Sequence, residues 1–123
     1  MVFTGFRADV LEWVADLEVF VHPAVIPDAL PGVLIEAAAL GKAIVATRVG
    51  GVAEIVEHGR SALLVEPGDI QGLADAVLSL LNDAEKAAVL SRQARLRATS
   101  LFTIESHVEN ISRIYGQLLA GER

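Results

Sequence analysis

Glu36 is the only ionisable side chain in the run Pro31-Gly32-Val33-Leu34-Ile35-Glu36-Ala37-Ala38-Ala39-Leu40, and no cation lies three or four residues away to pair with it. A lone carboxylate on so apolar a helix is costly if it is buried without a partner. Two solutions are open. Either it pairs in the folded chain, with Arg7 or Arg48 as the available guanidinium groups, or it accepts hydrogen bonds from a ligand. A ribose diol suits the second solution, because one carboxylate takes two neighbouring hydroxyls. Asp28, between Pro27 and Pro31, reads on sequence grounds as an ordinary turn residue. The histidines His22, His58 and His107 are far apart and match no metal-ligand spacing, and the chain has no cysteine. Neither a thiolate metal site nor a disulfide frame is therefore available.

The elements that carry these residues are legible from periodicity. Val2-Phe3-Thr4 is a short strand candidate ended by Gly5, and Ala8 to Leu17 has a helical stripe of Val10, Leu11, Val14 and Leu17. Val19-Phe20-Val21-His22 is an apolar strand stopped by Pro23, so His22 reads as structural. A loop follows from Val25 to Leu30. Pro31 suits a first helical position, predicting a helix from Pro31 to Leu40 that stops at Gly41. Ala43–Thr47 is a strand, Ala53–His58 a short helix, and Ala62–Val65 another strand. The remainder is helical. Asp69 caps a helix to Leu81, Asp83 one to about Arg97, and Thr103 one to about Leu119, whose buried stripe is expected to be Ile104, Val108, Ile111 and Ile114/Tyr115.

Strands made wholly of Val, Ile, Leu and Ala, alternating with helices, indicate an α/β fold with a parallel sheet covered on both faces. We expect one domain spanning 1–123, a Rossmann-like sheet of three or four strands followed by a helical region from about 69 to 121. Ligands of such sheets bind beyond the carboxyl ends of the strands. Arg7, Asp28, Leu30 and Arg48 fall on that edge, whereas Lys42 precedes its strand and falls on the opposite one, where a structural role is expected. Two arginines, an aspartate and a helix start on one rim favour an anion, most simply a phosphate.

Composition excludes several classes. The 123 residues are 53% hydrophobic and 21% charged. A chain of that length buries roughly two-thirds of its unfolded surface, which excludes low-hydrophobicity disorder. The net charge of −6 argues against a nucleic-acid partner. Asp28 and Glu36 interrupt the most hydrophobic region, so no membrane span is expected, and Arg7, Asp9 and Glu12 are unlike a signal peptide. Cytoplasmic localisation is the expectation. The Arg92, Arg95 and Arg97 group is read as a solvated helix face rather than a contact to anionic lipid.

Taken in order, Val2–Arg7, Asp28–Ala37, Gly41–Thr47, Val49–Val56 and Ala62–Asp69 resemble the donor-binding half of GT-B glycosyltransferases of the family 4 type, over essentially the whole chain. The resemblance implies transfer of a sugar from a UDP- or GDP-linked donor, without a metal or other cofactor and with retention at the sugar. In that family two acids spaced E-x7-E flank the donor. Glu36 matches the second, which holds the ribose hydroxyls; Asp28 matches the first, near the donor sugar and the leaving side. The resemblance also implies that N–H groups around Ala29, Leu30 and Gly32 face the diphosphate or sugar, and that Gly5-Phe6-Arg7 lies by the base. Arg48 or Arg7 would supply positive charge to the diphosphate, unless held by Glu36, Glu54 or Asp28.

Three departures from the family pattern stand out. Asp28 replaces Glu, so its carboxylate reaches one methylene less far, and Ala29 stands where Gly is frequent. The Gly-rich segment that supplies an Arg and a Lys, and the acceptor domain, are not in this sequence. The expectation is therefore a partial domain, inactive alone, whose Val19–His22 strand has an open edge. That edge either pairs with a second copy or takes the Val2–Thr4 strand beside it. A non-catalytic nucleotide-binding or self-associating half-domain is the alternative.

Overall fold

Ala43–Thr47 forms the central strand, β2, because every one of its five side chains is buried and only a strand covered on both faces accommodates that. The computed structural model, which describes residues 1–121, places β1 (Val19–His22) on one side of β2 and β3 (Leu63–Val65) on the other. Both pairings are parallel, with Val19 opposite Ala43 and Val45 opposite Leu63. The fold is thus α/β with a three-stranded parallel sheet.

Period-two alternation divides the core between the two faces. Ile44 and Ala46 pack with Phe20, Leu64 and the buried sides of α2 (Gly32–Ala39) and α3 (Val52–Ile55). Ala43 and Val45 turn the other way, toward Leu63, Leu80 and Leu90, where α4 (Ile70–Asn82) lies. Helix α5 (Ala84–Leu101) serves both clusters, giving Leu90 to one and Ala94 and Ala98 to the other.

Helix boundaries follow local chemistry. Pro31 takes the N-cap rather than the first turn of α2, with φ −68° and ψ 106°. Gly41, at φ +71°, closes α2: its N–H donates to Ala38 O at 2.9 Å and that of Lys42 to Ala37 O at 3.0 Å. This is the paired bonding that glycine permits at a helix end. Asp69, Asp83 and Thr103 each accept the expected N-capping hydrogen bond, from Gly72, Lys86 and Ser106. Lys42 plays the structural part expected of it, its Nζ donating to Ala15 O and Leu17 O at the end of α1 (Val10–Ala15).

Two expectations require correction. Val2-Phe3-Thr4 is not a strand; Val2 and Phe3 are 84% and 88% exposed, and no neighbour in the order β1-β2-β3 receives them. An extended segment has no ladder without a partner, and so the outer edge of β1 is unpaired among the described residues. The second correction concerns α6 (Ile104–Leu119), which forms as expected but buries nothing. Ile104, Val108, Ile111, Ile114 and Tyr115 are all exposed. Their periodicity required a partner for that face, and no element among the described residues occupies it. Among the described residues no helix is long and apolar enough to cross a membrane.

Candidate functional site

The carboxyl edge of the sheet is built from the loops after β1, β2 and β3, and from the starts of α2, α3 and α4 that follow them. Glu36 lies in the second turn of α2. Leu34, Ala37 and Ala38 turn that helix inward, which leaves Gly32 and Glu36, four residues apart, on its exposed side. Among the described residues the Glu36 carboxylate has neither a hydrogen bond nor an ion pair. Pairing with an arginine is therefore not how this chain accommodates it. Solvent exposure removes the burial cost and leaves the carboxylate free to accept.

Both candidate arginines are engaged elsewhere, to different degrees. Arg7 forks onto Asp9, with Nε to Oδ1 at 2.8 Å and Nη2 to Oδ2 at 2.6 Å, while its guanidinium stacks 4.6 Å over Trp13. That arrangement holds the Asp9 carboxyl below its usual range, chiefly through the Arg7 hydrogen bonds. Arg48 is held loosely. Its Nε is 3.5 Å from Glu66 Oε1, with both side chains exposed, so little holds it there. Its backbone N–H, bonded to Val65 O at 2.8 Å, fixes where the side chain starts. Gly5 and Phe6 contribute no packing to the rim: Phe6 is 97% exposed, and a Cβ at Gly5 would meet nothing within 4 Å.

The Asp28–Leu30 segment is a tight turn. Asp28 Oδ1 accepts the Leu30 N–H at 3.2 Å, so that N–H is already satisfied while those of Ala29, Gly32 and Val33 have no partner among the described residues. Asp28 is thus the turn residue its sequence context suggests, with Oδ2 still uncommitted. Two glycines not singled out from sequence hold this turn. The Gly51 N–H donates to Asp28 O at 2.9 Å. A Cβ on Gly50 would lie 2.0 Å from Asp28 O, and one on Gly51 the same distance from Ala29 O, so only glycine fits at either position. Thr47, at the end of β2, donates its hydroxyl to Ala24 O and His22 O behind the turn. The adjacent Gly-Gly pair was a visible signal of close backbone approach, but the segment it approaches was not.

The histidines stay structural or peripheral. His58 Nδ1 accepts the Leu64 N–H at 2.9 Å, His107 is exposed, and His22 Nδ1 is buried without a partner among the described residues. Among the described residues no three His, Cys, Asp or Glu side chains come together as a metal cluster.

The family model described as "Glycosyl transferases group 1" matches residues 1–83. N-acetyl-alpha-D-glucosaminyl L-malate synthase of Bacillus anthracis is 36% identical over 91 residues, covering 74% of this chain and 24% of that protein. Sucrose-phosphate synthase of Spinacia oleracea is 42% identical over 98 residues, covering 78% of this chain and 9% of that protein. The crystal structure of Anabaena Alr3699/HepE in complex with UDP superposes with a TM-score of 0.88 at 31% identity, covering 94% of this chain and 32% of that one. Its complex with UDP-glucose gives 0.84 at 30% identity, covering 91% of this chain and 31% of that one. The chain thus spans under a third of the length of each of these relatives.

Proposed function

This chain belongs to the glycosyl transferases group 1 family, and from that premise we propose that its carboxyl-edge rim binds a nucleotide-diphosphate sugar, the donor half of a sugar transfer. The observation that carries the reading is the Glu36 carboxylate, exposed, unpaired and on the same side of α2 as the unpartnered Gly32 N–H. The carboxylate takes the two ribose hydroxyls. The free N–H groups of Ala29, Gly32 and Val33 at the positive end of α2 face the diphosphate. A UDP-linked donor is favoured over a GDP-linked one, since the similar Anabaena protein was crystallised with UDP and UDP-glucose.

Each residue then has a defined part. Asp28 holds the turn through Oδ1 and offers Oδ2 to a sugar hydroxyl. Arg48, weakly paired with Glu66, swings to the diphosphate as it departs; Arg7, clamped by Asp9 and Trp13, stays with α1. Charge that develops on the leaving diphosphate is met by preoriented N–H groups and a cation, a route that needs no metal. We assign retention at the sugar carbon on the family resemblance alone. The rim forms one wall of a cleft, so transfer by this chain alone is not expected, because positioning of the acceptor is lost.

Calorimetry with UDP, GDP and their sugars tests the reading. Heat with UDP or UDP-sugar that Glu36→Ala weakens about tenfold or more supports it. Absence of heat with any nucleotide overturns it, and sugar transfer by the isolated chain overturns the assignment of inactivity. A second reading is favoured by one observation, the open outer edge of β1: a half-domain that associates through residues 19–22 without turnover.

A further inference from the structure

Arg97 lies outside the rim, yet its contacts lead toward it. Arg92 and Arg95 are exposed as expected of a solvated helix face, but Arg97 keeps only 26% side-chain exposure. All three of its guanidinium nitrogens have acceptors: Nε donates to Ile55 O at 2.9 Å, Nη2 to Glu54 O at 2.9 Å and Nη1 to Glu57 Oε1 at 2.7 Å. Glu54 O and Ile55 O are the last carbonyls of α3, groups that a helix end leaves without an intrahelical partner. Only arginine presents a planar fork with enough donors to reach all three acceptors.

Helix α3 has four residues, too few to be stable by itself. Val52, Ile55 and Val56 are buried and hold its depth in the core. Apolar burial is non-directional, however, and leaves slide and rotation poorly defined. At its other end α3 meets the rim, where Gly51 bonds Asp28 O and Gly50 and Gly51 sit against the backbone of Asp28 and Ala29 with no room for a Cβ. A displacement of α3 by a few tenths of an ångström therefore has to be passed to the turn.

We infer that Arg97 is a positioning residue for the rim. Through α3 it sets the place of Gly50-Gly51, and through them the Asp28–Leu30 turn. The consequence for ligand binding rests on the donor-site reading above; the mechanical bracket from Arg97 to Gly51 does not.

The test uses the full chain with Arg97→Lys, which keeps the charge and loses the fork, and measures amide hydrogen exchange without ligand. Exchange at Gly51 is expected to rise about tenfold while the amides of β2 change little. Leu80→Ala, in the cluster on the other face, is the control for plain destabilisation, since global opening raises exchange at Gly51 and β2 together. A Gly51-to-β2 exchange ratio in Arg97→Lys no larger than in wild type or in the control overturns the inference. UDP titrations of the same samples separate the two proposals. Selective loosening of Gly51 with weaker UDP binding supports both. Selective loosening in a chain whose wild type gives no heat with UDP, GDP or their sugars supports the bracket and defeats the donor site.

Discussion

At Glu36 a single side chain carries two incompatible demands, a helix built for burial and a charge that resists it. The structure reconciles them by orientation: Leu34 and Ala37 are fully buried on the inner side and Glu36 is turned out. Stability should therefore be nearly indifferent to Glu36→Ala, within about 0.5 kcal/mol by urea unfolding, as for an unpaired surface group. Asp28 allows a finer separation. Asp28→Asn keeps an oxygen for the Leu30 N–H and removes the charge, whereas Asp28→Ala removes both. If Oδ2 serves the donor, Asn should lose UDP-sugar affinity while retaining the turn, and equal affinity for wild type and Asn would remove Asp28 from the site. Asp9 gives the pH prediction. Its carboxyl is held low by Arg7, so its stabilising contribution is present above the ordinary aspartate range and is lost as pH falls through the lowered folded value. NMR titration should find its midpoint below 3.8 in wild type and raised toward it in Arg7→Ala.

At the scale of elements, the loop after β1 is shaped from behind. Gly50→Ala places a methyl against Asp28 O and forces a non-glycine residue to φ +51°, so it should cost more than about 1 kcal/mol and weaken donor binding at the same time. Thermal unfolding together with a UDP titration checks both. Thr103→Ala, by contrast, removes a cap from α6 and should cost about 1 kcal/mol of local helix stability with no effect on the rim, read as faster exchange in the first turn of α6. Capping residues, glycine stops and period-two or period-3.6 stripes made most of these elements legible from sequence, because each depends on neighbours a few residues away. Val2–Thr4 failed on the same principle. Its composition suits a strand, but a strand exists only where a partner presents its backbone, and none among the described residues does. The stripe of α6 was read correctly as amphipathic and wrongly as buried, since periodicity tells that a face needs cover and not which chain supplies it.

For the molecule as a whole, the core on either side of β2 sets stability. Leu34, fully buried beneath Glu36, should cost about 2–5 kcal/mol as Leu34→Ala, since the helix is fixed at both ends and closes the cavity poorly. The open edge of β1 bears on association. If it pairs with a second copy, light scattering should give a concentration-dependent mass above the 13.0 kDa of one chain, and a constant monomer mass would remove that reading. By itself the sequence determined the α/β class, the parallel sheet and the family resemblance, all of which are written in local periodicity and in short contiguous motifs. Only the tertiary structure decided that Glu36 stands free while Arg7 is clamped by Asp9, that Asp28 spends one oxygen on its own turn, and that Arg97 reaches across 42 residues to the end of α3. Those outcomes depend on which distant groups arrive within hydrogen-bond distance, and chain separation carries no record of that until the sheet has brought its edges together.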